Sequence, residues 1–179
     1  SVWQWMLQGQ GGPQPPLAEA DAAAVSQLQL RVTATSNDGS SSDAALEPSR
    51  ISAAYQLAEL GDTGAAVLLE IFDGAANGHV AEFGLHGWGP LRSAAYALSS
   101  SHAAAVVPAL AELARESPLR EVRALALFSL GQSVSTDVEC LQPAVWALHH
   151  DESSFVRSTA AAAVGFAGRR LAAAAADAA

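Results

Sequence analysis

The chain has 179 residues, half of them apolar and only 6% aromatic, and a formal net charge of -9. This length suits one domain with a real core, and because alanine dominates the apolar count, closely packed helices are favoured over sheets. All nine basic residues are arginine; an acidic surface without clustered Lys and Arg argues against a nucleic-acid partner, and the missing lysine removes Schiff-base chemistry and the P-loop lysine.

The lone Cys140 allows no intrachain disulfide. Asp137 and Glu139 beside it disfavour a thiolate, so it is read as a buried structural residue and not a nucleophile. No run of about eighteen strongly apolar residues occurs, since Arg169 and Arg170 break the Ala-rich C-terminal stretch; a soluble chain with no membrane span is expected. The chain starts at Ser1 without a signal-peptide pattern, which suggests an intracellular protein, either processed or excised from a longer one.

In chain order, "SVWQWMLQG" brings Trp3, Trp5, Met6 and Leu7 together before "GQGGPQPP" stops any helix. Tryptophans so placed plug an exposed end of a core. A helix is predicted from Leu17 to about Val32, with Ala20, Ala24 and Leu28 on one face. "TATSNDGSSSD" then reads as a flexible Ser-rich linker from Thr33 to Asp43. Residues 1–47 thus form a helical extension with its linker, and residues 48–179 a second domain.

From Ser49 the chain repeats itself. Aligning Arg50, Arg123 and Arg157 brings Ala53, Ala126 and Ala160 into register, then Leu57, Leu130 and Val164; "LRSAAYALSS" joins through its Ala-Ala-Tyr, with Arg92 displaced by one position. Each copy continues into a second helical half, starting at Ala65, Ala104 and Cys140, with Pro108 and Pro143 in register. Val106, Leu110 and Leu113, like Leu141, Val145 and Leu148, stand at i, i+4 and i+7. Early prolines cost little there, because first-turn amides lack an intrahelical acceptor. The unit is helix, turn, helix, and it buries its apolar face only by stacking on its neighbours. The alanines of the first helices let neighbouring helices approach closely, and these helices are expected to be buried nearly all round.

"DESSFVRSTAAAAVGFAG" from Asp151 and "ESPLREVRALALFSLG" from Glu116 resemble the HEAT-like repeats of the bilin lyase family, in which an acid precedes Val-Arg, Ala-Ala and Leu-Gly. The resemblance runs from about Ser49 to Gly168. It implies an all-α, α-α superhelix of about four helix pairs. It also implies a ladder of inter-repeat ion pairs between turn acids and helix arginines, here Asp43, Glu116 and Asp151 with Arg50, Arg123 and Arg157.

Loop insertions on a solenoid often carry contacts. The longest here, Asp73–Pro90, holds His79, Glu82, His86 and Trp88 among five glycines. His79, Glu82 and His86 would share one face of a helix and offer metal ligands, but Gly84, Gly87 and Gly89 oppose that helix; a partner-contacting loop and a plain connection are the other readings. His149 and His150 suit a helix C-terminus, whose dipole favours positive charge. A HEAT-repeat enzyme, deoxyhypusine hydroxylase, uses adjacent His-Glu pairs, and no His-Glu dipeptide occurs here. No nucleophile elbow, phosphate fingerprint or paired zinc cysteines appear.

The expected function is therefore non-catalytic: a protein-binding scaffold, assembly factor or subunit of a larger complex, with no metal and no cofactor. Alternatives are a bilin lyase or chromophore-handling factor, as the resemblance implies, and the helical accessory region of a longer enzyme. The expected contact surface is an acidic groove lined by the second helices, through Glu70, Glu112 and Glu139, with Trp88 on the inserted loop as its aromatic anchor.

Overall fold

The computed structural model describes residues 19–34, 43–76, 88–134 and 138–177. The protein is all-α: among the described residues there are eight α-helices, one short 3-10 turn and no strand. The helices are α1 (Glu19–Thr33), α2 (Asp43–Glu59), α3 (Asp62–Ala76), α4 (Trp88–Ser99), α5 (Val106–Glu116), α6 (Arg120–Gln132), α7 (Gln142–His150) and α8 (Ser154–Asp177), with the 3-10 turn at Val138–Leu141 just before α7. Among these residues no helix is long and apolar enough to cross a membrane. Chain contacts divide the molecule into two compact units, Ser1–Val106 and Val107–Ala179.

In the first unit α2 is the central element and packs against α1, α3 and α4. Its inner face is Ala53, Ala54 and Leu57, all fully buried, with Leu68, Leu69 and Phe72 of α3 and Leu91, Ala94 and Leu98 of α4 completing the core. Small residues on α2 and α4 let the two helices lie close, since interaxial distance follows side-chain size at the contact. Val25 and Val32 bring α1 into this core. Arg50, only 1% exposed, secures the joint: its Nε donates to the Ala34 carbonyl at 3.0 Å, and an Nη donates to the same oxygen. The helix α2 runs unbroken across residue 48, the domain boundary expected from the sequence.

The turn from α2 to α3 passes through Gly61 at φ 63°, in the left-handed region that glycine adopts without penalty. The amides of Leu60 and Gly61 close onto the carbonyls of Leu57 and Ala58. The chain then folds back so tightly that a Cβ on Gly64 would overlap the Leu57 carbonyl.

In the second unit α8 packs along both α6 and α7. The α6 face buries Ala126, Leu127 and Leu130, and α8 buries Val156, Ala160, Ala163 and Ala167. A Cβ on Gly131 would come within 2.5 Å of the Ala163 Cα, so the two helices meet nearly backbone to backbone there. Cys140 is buried in the 3-10 turn, and Pro143 sits in the first turn of α7, where no amide is missed.

Two expectations about faces need correction. In α5 the stripe Val106, Leu110 and Leu113 is buried, but its counterpart in α7 is not: Val145 is exposed and Leu141 and Leu148 are half-buried. There the buried set is Cys140, Pro143, Ala144 and Ala147, because α8 approaches the small residues and leaves the larger ones outside. Nor are the Ala-rich first helices buried all round; Tyr55, Tyr96, Phe155 and Phe166 face outward from α2, α4 and α8.

Candidate functional site

A buried polar arrangement joins α6 to the turn before α8 in the second unit. Arg123, on the first turn of α6, donates through Nη1 to the carbonyls of Ser117 and Pro118 in the turn before its own helix, at 3.0 and 3.4 Å. Its other edge makes a two-point contact with Asp151, in the turn before α8: Nε to Oδ2 at 2.8 Å and Nη2 to Oδ1 at 3.0 Å. The two side chains are only 8% and 3% exposed. A planar guanidinium is suited to such paired geometry, which a lysine ammonium is not. Asp151 Oδ1 also accepts the Ser153 amide at 2.8 Å, and Glu152 stands 3.6 Å from Arg123 at the solvent edge.

Burial pushes the Asp151 carboxyl toward a higher pKa, but the Arg123 hydrogen bonds, the Ser153 amide and the charges of Arg123 and Arg157 outweigh it and hold the group below the usual carboxylate range. The Arg123 guanidinium is correspondingly raised, chiefly by its hydrogen bond to Asp151. Glu116 stands outside this junction, exposed at the end of α5. Arg157 donates through Nη1 to the carbonyls of Asp151 and Glu152, at 2.9 and 3.0 Å. Asp43 begins α2, and its side chain lies outside the described residues.

Glu70 is half-buried on α3 in the first unit, and Glu112 half-buried on α5 in the second. Trp88 is not on a loop: it opens α4, half-buried, with Gly89 and Pro90 completing the first turn. His79, Glu82 and His86 lie outside the described residues, as does the Glu139 side chain. Among the described residues no three His, Cys, Asp or Glu side chains cluster as metal ligands would.

An aromatic surface that the sequence reading passed over lies on α7. With Ala144 and Ala147 turned inward, the opposite face presents Val145, Trp146, His149 and His150. Trp146 is 45% exposed and stacks on His150, with ring centroids 5.3 Å apart and an interplanar angle of 20°. His150 Nδ1 lies 2.9 Å from the Trp146 carbonyl and, as the Nδ1–H tautomer, donates to it. This i, i+4 pairing holds the imidazole against one face of the indole and limits the rotamers open to both. The signal in "CLQPAVWALHH" is the small-residue stripe Cys140, Pro143, Ala144 and Ala147, which leaves Trp146 on the far side of the helix.

Comparison with protein-family models and with curated proteins finds no match to this chain.

Proposed function

We propose that the protein is a non-catalytic scaffold built on HEAT-like repeats, which binds another protein as an assembly factor or as a subunit of a larger complex. The observation that carries this reading is Trp146: a large aromatic side chain, nearly half exposed and braced by His150, on the outside of a helix pair whose other face is packed. Tryptophan is among the residues most enriched at binding hot spots, and a braced side chain loses less rotamer freedom when a partner covers it. The Arg123–Asp151 contact supports the repeat part of the reading, because it spans from one pair's turn to the next. In this reading successive pairs stack into a solenoid, with the buried ion pair fixing their register. The test is affinity purification from the native source with the unaltered chain and with Trp146→Ala. At least one protein captured by the first is expected to be lost from the second, with the fold unchanged by circular dichroism. Identical capture by both, or capture by neither, overturns the reading.

A further inference from the structure

The first helices α6 and α8 occupy equivalent places in the repeat, and their arginines begin with the same contacts. Arg123 Nη1 holds the two carbonyls of the turn before α6, and Arg157 Nη1 holds the two carbonyls of the turn before α8. The resemblance ends at the other edge of the guanidinium. In Arg123, Nε and Nη2 are taken by both oxygens of Asp151. In Arg157 the same two nitrogens have no acceptor among the described residues, and the side chain is half-buried.

The helix faces beside these arginines differ in the same sense. In α6, Ala124, Leu127 and Gly131 are buried, whereas their counterparts in α8 are exposed Ser158 and Ala161 and half-buried Gly165. Gly131 has no room for a methyl group because Ala163 lies against it, while a Cβ on Gly165 would meet nothing nearer than Arg169 Nη1, at 3.9 Å. So α8 carries the features that receive a helix on α6, and on α8 they are unfilled. The charge is complementary to a carboxylate: α8 bears Arg157 and Arg169, with Arg170 turned to α6 and donating to the Gly131 carbonyl, and it has no acid before Asp177, in a chain whose net charge is -9. Phe155 and Phe166 stand exposed toward the two ends of this stretch, and the Arg169 guanidinium lies over the Phe166 ring at 5.0 Å.

From this internal comparison we infer that the outer face of α8 docks a helix of a partner protein whose preceding turn carries an aspartate or glutamate. The carboxylate closes on the Nε and Nη2 edge of Arg157, as Asp151 closes on Arg123, and the helix lies over Ser158, Ala161 and Gly165. A point charge would satisfy only part of this site; two oxygens in one plane match the guanidinium edge. The small residues permit an approach as close as the one at Gly131, so that a bulky or kinked segment is disfavoured relative to a regular helix. The inference rests on the reading of the chain as a protein-binding scaffold and adds the location and chemistry of one partner.

The probe is a fluorescently labelled synthetic peptide with the sequence of residues 150–168, the turn and helix that fill the equivalent place on α6, titrated into the full chain and followed by anisotropy. Saturable binding is expected. A peptide with Asp151→Asn should bind at least about thirtyfold more weakly, the low end of the scale for losing one partner of a hydrogen-bonded charge pair. In the full chain Arg157→Gln should give the same loss. Because Arg157 also secures the turn before α8, a second variant, Gly165→Leu, blocks the face at an open position; it should abolish peptide binding while helicity is kept and Tm is not lowered. No saturable binding overturns the inference, as does equal binding by the Asn peptide or by the Gly165→Leu chain. Self-association of the unaltered chain that Gly165→Leu abolishes in analytical ultracentrifugation would overturn it in favour of a second copy as occupant. None of these outcomes bears on capture through Trp146, so the scaffold reading stands or falls separately.

Discussion

In the first unit a glycine with no room for a side chain sits within a helix pair: Gly64, near the start of α3, lies against the Leu57 carbonyl of the helix just before it. In the second unit one sits between pairs: Gly131, near the end of α6, lies against Ala163 of α8, with α7 intervening in the chain. Both are glycines in helical stretches beside a leucine-rich run, yet one serves a local turn and the other a tertiary contact. At these two glycines the missing side chain lets backbones meet, whether or not they are neighbours in sequence. The contact within a pair forms with the hairpin itself, whereas the contact between pairs exists only once α8 has docked.

The largest effect is expected where the second unit joins its pairs. Asp151→Ala leaves the Arg123 guanidinium buried without its carboxylate and should cost about 3–5 kcal/mol in urea unfolding, the range for breaking a buried ion pair from one side. A loss near zero would mean that this joint does not hold α6 to α8. Next come the glycines themselves. Gly64→Ala and Gly131→Ala should each cost about 1–3 kcal/mol, the usual penalty for overpacking, because in both cases the obstacle includes backbone. Hydrogen exchange separates them: Gly64→Ala should expose amides of α2 and α3, and Gly131→Ala those of α6 and α8. The same exchange pattern from both would erase the distinction between a local and a tertiary contact.

A smaller effect follows from acid. The native Asp151 carboxyl is held below its ordinary value, so the unfolded chain takes up the proton more readily than the folded one. Its contribution is fully present above the unfolded carboxylate pKa, roughly pH 4, and is lost as pH falls through the lower native value. Urea midpoints measured down through this range should fall more steeply for the unaltered chain than for Asp151→Asn; equal slopes would contradict the assignment. The smallest effect is at Gly165, the open counterpart of Gly131. Gly165→Ala should stabilise by about 0.5–1 kcal/mol through helix propensity alone, since the new methyl meets only ordinary contact. A loss comparable to that of Gly131→Ala would show that the two faces are not alternatives of filled and unfilled.

The helical class was legible because every periodic segment after Ser49 carries the 3.6-residue period, and the helix predicted from Leu17 to Val32 lies within about a residue or two of Glu19–Thr33, the ordinary uncertainty of helix ends. The register of Arg50, Arg123 and Arg157 is legible from self-alignment, whereas the turn acids, Asp151 among them, enter only through the resemblance to HEAT-like repeats. The faces were harder. Counting Val and Leu as the buried stripe located α5 correctly and turned α7 the wrong way, because in α7 the closest approach is made by Ala144 and Ala147. In alanine-rich contacts small size, and not hydrophobicity, decides which side is inside. Trp88, expected on the inserted loop, begins a helix, and Trp146 stands on the exposed side of another.

Cys140 adds a practical consequence. It is the only thiol in the chain and 1% exposed, set in the 3-10 turn that leads into α7. A thiol reagent reaches it only when that segment opens, so under native conditions the modification rate is the opening equilibrium multiplied by the intrinsic reaction rate, provided closing outpaces labelling. At high reagent concentration the rate instead levels off at the opening rate itself. The natural sequence thus contains its own clock for local opening around α7, readable by mass spectrometry without introducing any label.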